Sequence, residues 1–175
     1  MHLSNLFEYC PAGSNMPWIS DFSDCKKTNL ISIIASEKNQ TEGHQIRHQI
    51  VNNYKNHIDV FGRSYRHIEN KETGLKPYMF SFCIENAKYD LYYTEKLMDA
   101  LVTKTIPIYW GSNKINTIFN TEGFIMYDET FDINMITEDL YISKLKYINE
   151  NYEIARNMIP SDDVLQNKII NYLKD

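Results

Sequence analysis

Apolar positions along the 175-residue chain fall into short runs separated by polar stretches. The clearest run is Tyr78–Ile84, Y-M-F-S-F-C-I, whose aromatic and β-type residues predict a strand buried on both faces. A polar break follows from Glu85 to Tyr93. Thr94 suits the N-cap of a helix over Glu95–Thr103, with Leu97, Ala100 and Leu101 on its apolar face. Thr105 leads into a second buried strand, Ile106–Trp110, ended by Gly111. Parallel strands need a crossover of this kind.

The same rhythm recurs on both sides. Leu30–Ala35 predicts a strand, Ser36–Gly43 a loop, and His44–Lys55 a helix with Ile46, Ile50 and Tyr54 on one face. Thr41 or Gly43 could start that helix. Ile58–Phe61 predicts a short strand turning at Gly62-Arg63, and Ser64–Pro77 a loop or short helix. Downstream, Ser112–Asn120 reads as a short helix with Ile115, Ile118 and Phe119 inward, and Gly123–Tyr127 as a strand. Met135–Met158 is a long helical stretch, open to a break near Asn149–Asn151. Ser161 is expected to cap a last helix to Lys174, with Val164, Leu165, Ile169, Tyr172 and Leu173 inward. Residues 1–29 lack periodicity and read as an irregular segment in which Trp18 and Phe22 tuck against the body. Strands alternating with helices over residues 30–175 predict one three-layer α/β domain with a mostly parallel sheet.

Ligands of such sheets sit past the carboxyl ends of the strands. There the free N–H groups of helix starts attract anions. Lys96 falls at about the second position of its helix, where a cation opposes the helix dipole. From that position alone, loss of Lys96 should cost the fold little, while a bound phosphate would use it. Glu95 suits the dipole and, being adjacent, is not expected to pair easily with Lys96. Together they could serve two parts of one ligand, the ammonium on phosphate and the carboxylate on hydroxyls. Two solvated charges in a first turn are the plainer alternative. Arg47 reads in the same way as a surface residue unless a ligand claims it.

Composition narrows the classes. A formal net charge of -5 argues against nucleic acid as main partner. No apolar run approaches the roughly 20 residues of a membrane span. The opening M-H-L-S-N-L-F-E-Y-C lacks the basic and apolar regions of a signal peptide, and three cysteines suggest reduced thiols, so a cytoplasmic location is expected. Cys83 reads as plain core. His44 and His48 have metal-ligand spacing, but Gln45 stands where a zinc protease needs glutamate. Surface or ligand-loop histidines are the better reading. The chain has no G-x-x-x-x-G-K-[ST] phosphate loop, no G-x-G-x-x-G and no Asp-x-Asp triplet.

Three blocks carry a resemblance: Glu85-Asn86, then Tyr92-x-Thr94-Glu95-Lys96-Leu97, then Pro107-x-Tyr109-Trp110-Gly111. They closely resemble the signature of the alpha-1,3-fucosyltransferases, which move fucose from GDP-fucose to a sugar acceptor. The likeness extends more weakly from about Leu30 to Asp128. It implies a Rossmann-like domain similar to the C-terminal, donor-binding half of a GT-B glycosyltransferase. It implies donor contacts from Arg47, Gly62, Arg63, Glu85, Asn86, Tyr92, Thr94, Glu95 and Lys96. Arg47 and Lys96 would stabilise the leaving diphosphate and so act in catalysis. It further implies an inverting transfer to a glycan acceptor, with the general base supplied by an N-terminal acceptor-binding half, in the same gene or as a separate chain. No divalent metal and no permanently bound cofactor are expected. The alternative is a non-catalytic nucleotide-sugar-binding module or truncated remnant.

Overall fold

Five strands form one sheet: β1 (Asn29–Ile34), β2 (Asp59–Phe61), β3 (Tyr78–Ile84), β4 (Ile106–Trp110) and β5 (Ile125–Met126). Their order is β2-β1-β3-β4-β5, and every neighbouring pair is parallel. This computed structural model describes residues 15–160 together with 162, 163, 166 and 169–171. All seven residues of β3 are buried, as a central strand covered on both faces requires. The chain leaves β1 for β2 on one side and returns to β3 on the other. That reversal opens a crevice at the carboxyl ends of β1 and β3.

Among the described residues the sheet is accompanied by α1 (Glu42–Tyr54), α2 (Glu72–Leu75), α3 (Glu95–Val102) and α4 (Glu138–Arg156). The ring of Tyr54 in α1 stacks on Phe82 at 6.3 Å. The Ser32 hydroxyl donates to the Gly74 carbonyl of α2 and to Ser81 Oγ. Ser81 and Phe82 are successive strand residues and point to opposite faces, so helices cover both sides of the sheet. This is the expected three-layer arrangement. Threonine caps start three of the helices, with Thr41, Thr94 and Thr137 accepting from the backbone N–H groups of His44, Lys96 and Leu140.

The differences from the sequence reading are local. Ile115–Thr117 and Thr121–Gly123 are 3-10 turns, which leave β5 two residues long. Ile115 and Phe119 do point into the core, and Ile118 is half-buried. The turn Ile133–Met135 separates Met135 from α4. That helix then runs unbroken through Asn149–Asn151. Asn151 is fully buried, and its amide accepts from Asn120 N and donates to Asn120 O, each at 2.8 Å. Its polar atoms are satisfied sideways, so the helix ladder stays intact. Trp18 is 66% exposed, and Ile19 takes the buried place expected of it. Phe22 packs against the core, Cys83 is buried within it, and Cys25 is exposed. Residues 162, 163, 166 and 169–171 are helical. Ile169 is exposed there rather than inward. The expected Ser161 cap and Val164, Leu165, Tyr172 and Leu173 lie outside the described residues. No helix among the described residues is long and apolar enough to cross a membrane.

Candidate functional site

The polar break after β3 begins with a carboxylate that is not at the surface. Glu85 is fully buried. One of its oxygens accepts the Thr94 backbone N–H at 2.8 Å and the other the Thr94 hydroxyl at 2.7 Å. The residue that caps α3 is thus pinned to the end of β3. Burial pushes the Glu85 carboxyl above its ordinary value, against the Lys96 charge and the two Thr94 bonds.

Lys96 folds back over this cap. Its Nζ lies 3.0 Å from Thr94 Oγ1, 3.3 Å from Glu95 Oε1 and 3.7 Å from Glu85 Oε2. The adjacent Glu95 and Lys96 do therefore pair, contrary to the expectation from helical spacing. At a helix start the lysine is free to curl toward the cap rather than lie along the helix. Three acceptors thus surround one ammonium at a position the helix dipole disfavours.

Arg47 is buried, not the surface residue its place on α1 suggested. Its Nε donates to the Gly43 carbonyl at 3.0 Å, and its Nη2 to Asn86 Oδ1. Burial lowers the guanidinium below its usual value, and the Glu85 and Glu95 charges oppose that. The start of α1 abuts the end of β3 directly. Gly43 N donates to Asn86 O at 3.1 Å, and a Cβ on Gly43 would stand 1.7 Å from the Glu85 carbonyl oxygen. Gly62, at a φ of 136°, has the same intimacy with β1, since a Cβ there would stand 1.7 Å from the Ala35 carbonyl oxygen. The freedom of this glycine thus serves strand packing first.

A cavity of about 460 Å³ opens at this edge of the sheet. Arg47, Gly62, Arg63, Glu95 and Lys96 line it. Glu85, Asn86 and Thr94 sit behind that wall, holding Lys96 and Arg47 from beneath. Tyr92 does not line the cavity; it is half-buried, with its ring edge-on to Tyr89 at 6.3 Å. Burial raises the pKa of its phenol, with the Glu85 and Glu95 charges adding and the Arg47 charge opposing.

A further cluster in the lining was not foreseen. Asp99, one turn beyond Glu95 on α3, is 1% exposed. Its Oδ1 accepts the backbone N–H groups of Trp18 at 2.7 Å and Ile19 at 3.0 Å, and its Oδ2 accepts Lys71 Nζ at 2.7 Å. Burial raises the Asp99 carboxyl, against the Lys71 charge and these bonds. Lys71 Nζ also lies 3.7 Å from Glu95 Oε1 and 4.2 Å from the centre of the Trp18 ring. Arg47, Lys71 and Lys96 thus stand among Glu85, Glu95 and Asp99, and Lys38 and Arg63 add two more cations to the cavity lining.

His44 is buried rather than at the surface. Its Nδ1 lies 2.8 Å from the Thr41 hydroxyl at the head of α1, and His48 Nε2 lies 3.0 Å from the Lys38 carbonyl. Burial, then the Arg47 charge, lowers the pKa of His44. Among the described residues no group of three or more His, Cys, Asp or Glu side chains could hold a metal ion.

Residues 25–154 match the model of glycosyltransferase family 10 (fucosyltransferase), C-terminal part. The chain belongs to this family. An alpha-(1,3)-fucosyltransferase of Helicobacter pylori is 31% identical over 153 residues, covering 81% of this family 10 chain and 30% of that protein. A putative fucosyltransferase of Acanthamoeba polyphaga mimivirus is 30% identical over 110 residues, 51% of this chain and 18% of that protein. A solved alpha1,3-fucosyltransferase with GDP superposes with a TM-score of 0.55 at 25% identity, over 77% of this chain and 49% of its own. Another, with GDP-fucose, gives 0.57 at 24%, over 85% and 48%. The family 10 chain described here thus spans about half the length of these structures and less than a third of the curated relatives. The fold is the mostly parallel α/β arrangement found in GT-B fucosyltransferases, and the family match is to their C-terminal part.

Within this family 10 domain, sequence reasoning missed Asp99, Lys71 and Trp18. Asp99 carried a signal: a carboxylate set among Met98, Ala100 and Leu101, inside an apolar stretch. A charge in that setting needs a partner. Nothing in the local pattern marks Lys71, whose partner lies 28 residues away.

Proposed function

We propose that this chain is the GDP-fucose-binding domain of an alpha-1,3-fucosyltransferase. The observation that carries the reading is the convergence of Arg47, Glu95 and Lys96, all family-signature or family-implied positions, on one cavity at the carboxyl edge of β1 and β3. A diphosphate there would meet two cations and the N-terminus of α3, and hydroxyls of the ligand would meet Glu95. In this reading Arg47 and Lys96 stabilise charge on the departing diphosphate, which is an electrostatic role. Asn86 and Gly43 orient Arg47, and Glu85 and Thr94 orient Lys96. Gly62 and Arg63 border the ligand, and Tyr92 closes the edge of the site near Tyr89. No metal is needed for this, because fixed cations supply the charge.

Fucose transfer requires a base within about 3 Å of the acceptor hydroxyl. The carboxylates at and behind the cavity wall already have partners: Glu85 has Thr94, Asp99 has Lys71 and the backbone, and Glu95 has both lysines through one of its oxygens. We therefore assign the base to an acceptor-binding half of the kind the resemblance implies; there it takes the proton of the acceptor hydroxyl, whose oxygen bonds to the anomeric carbon of fucose with inversion as the bond to GDP breaks. The experiment is calorimetry with GDP, GDP-fucose, UDP and ADP. Preference for the two guanine nucleotides is expected, and equal affinity for all four refutes the assignment. Fucose transfer to glycan acceptors is expected when an acceptor-binding half is supplied. Transfer by this chain alone at ordinary enzyme rates, on the order of 1 per second, would place the base among the residues described here.

A further inference from the structure

Lys71 is a cation the donor-binding reading does not use, yet it touches the site. Its ammonium is braced from behind by Asp99, which is itself fixed by two backbone N–H groups of the Trp18–Ile19 segment. The Trp18 ring covers it at 4.2 Å. In front it faces Glu95.

Both lysines near Glu95 approach the same atom. Lys96 Nζ lies 3.3 Å and Lys71 Nζ 3.7 Å from Oε1. Oε2 is the oxygen they leave for another donor. The two cations differ in what a ligand does to them. Lys96 sits at a helix N-terminus beside the cavity, where a diphosphate would draw it away from Glu95. Lys71 is held at 2.7 Å by a buried carboxylate and cannot follow. When the anion binds, Lys71 is the cation that remains on Oε1. Without it, the Glu95 carboxylate would swing after Lys96 or toward the negative ligand's solvent side.

We propose that Lys71 is a positioning residue whose ammonium, braced by Asp99, holds Glu95 with one oxygen turned to the ribose hydroxyls of a nucleoside diphosphate. This rests on the nucleotide-binding reading above and adds a residue, a direction and a discriminating ligand to it. Lys71 touches neither phosphate nor base in this arrangement. Its effect passes through Glu95 alone and concerns the ribose hydroxyls alone.

The test is calorimetry of the full chain with GDP and with 2′,3′-dideoxy-GDP, read as the ratio of their dissociation constants. The wild-type protein should prefer GDP. Lys71→Met should reduce that preference about ten-fold, while affinity for the dideoxy nucleotide stays within about two-fold. Lys71→Arg, which keeps a cation there, should restore most of the preference. Lys71→Met alone leaves Asp99 buried without its counter-charge. The pair Lys71→Met with Asp99→Asn removes both charges and keeps an acceptor for Trp18 and Ile19, and it should show the same loss of preference. Equal weakening of both nucleotides by Lys71→Met would make Lys71 a phosphate ligand or a scaffold residue and overturn the proposal. So would an unchanged ratio in the double variant. If the wild-type chain binds no GDP, the nucleotide reading falls and this proposal with it. If it binds GDP and only the ratio fails to move, this proposal falls alone.

Discussion

Replacing Lys96 by alanine distinguishes the buried-charge account of the site from the helix-dipole account. Lys96 Nζ lies 3.7 Å from Glu85 Oε2, and the glutamate is fully buried. At an effective dielectric of about 20 such a pair is worth roughly 4 kcal/mol. The Lys96 side chain is 26% exposed, and Glu85 keeps both Thr94 bonds, so the expected loss is smaller, about 1–3 kcal/mol. For a domain of this size that corresponds to a melting temperature lower by roughly 3–10 °C. The sign depends on pH. The folded Glu85 carboxyl is already raised by burial, so its contribution is most favourable at low pH and is lost as pH rises through the folded value. Lys96 is the largest influence holding that value down, and its removal lifts it further. The deficit should therefore be larger at pH 8 than at a pH below about 4, where glutamate is mostly protonated in either state. Adding Glu85→Gln should reduce the pH dependence of the Lys96 effect to the part carried by its pair with Glu95. Thermal melts of the four proteins at both pH values measure this. If Lys96→Ala melts at or above wild type at pH 8, the dipole term dominates and the counter-ion reasoning is wrong.

The same variant should weaken GDP binding by roughly 1–3 kcal/mol, as loss of a charge-assisted contact does. Arg47→Ala should weaken GDP similarly and also lower the melting temperature, because Arg47 is buried and satisfies the Gly43 carbonyl and Asn86. Arg47→Lys should recover little of either, since an ammonium cannot span both acceptors as a planar fork does. Gly43→Ala should cost about 3 kcal/mol or more, seen in denaturant melts, because the new Cβ would meet backbone of Glu85 that has no rotamer to escape into.

The strand-helix-strand unit from Tyr78 to Trp110 was legible because local rules agree there: an unbroken apolar run, a threonine cap, a helix-spaced face and a second apolar run. The site was legible where function leaves a short-range signature, as in Thr94-Glu95-Lys96. It was illegible where a side chain's environment comes from distant chain. Glu85 looks like the start of a loop, yet the crossing of α1 over β3 buries it. Arg47 looks solvated because its acceptors, Gly43 O and Asn86, converge only when that crossing forms. Asn149–Asn151 looks like a helix break because no local rule supplies Asn120 as the partner of Asn151. Trp18 and Ile19 exchanged places because the segment before β1 has no periodicity, and its facing is set by Asp99, 80 residues away from Ile19.

Asn15 Nδ2 donates to the Ile159 carbonyl at 3.0 Å. Positions 144 residues apart thus meet at one corner of the body. Chain entering the described body at Asn15 and chain leaving it at Ile159 are held side by side. Tethered through that corner, the body would turn about a single pivot rather than being stretched between two anchors.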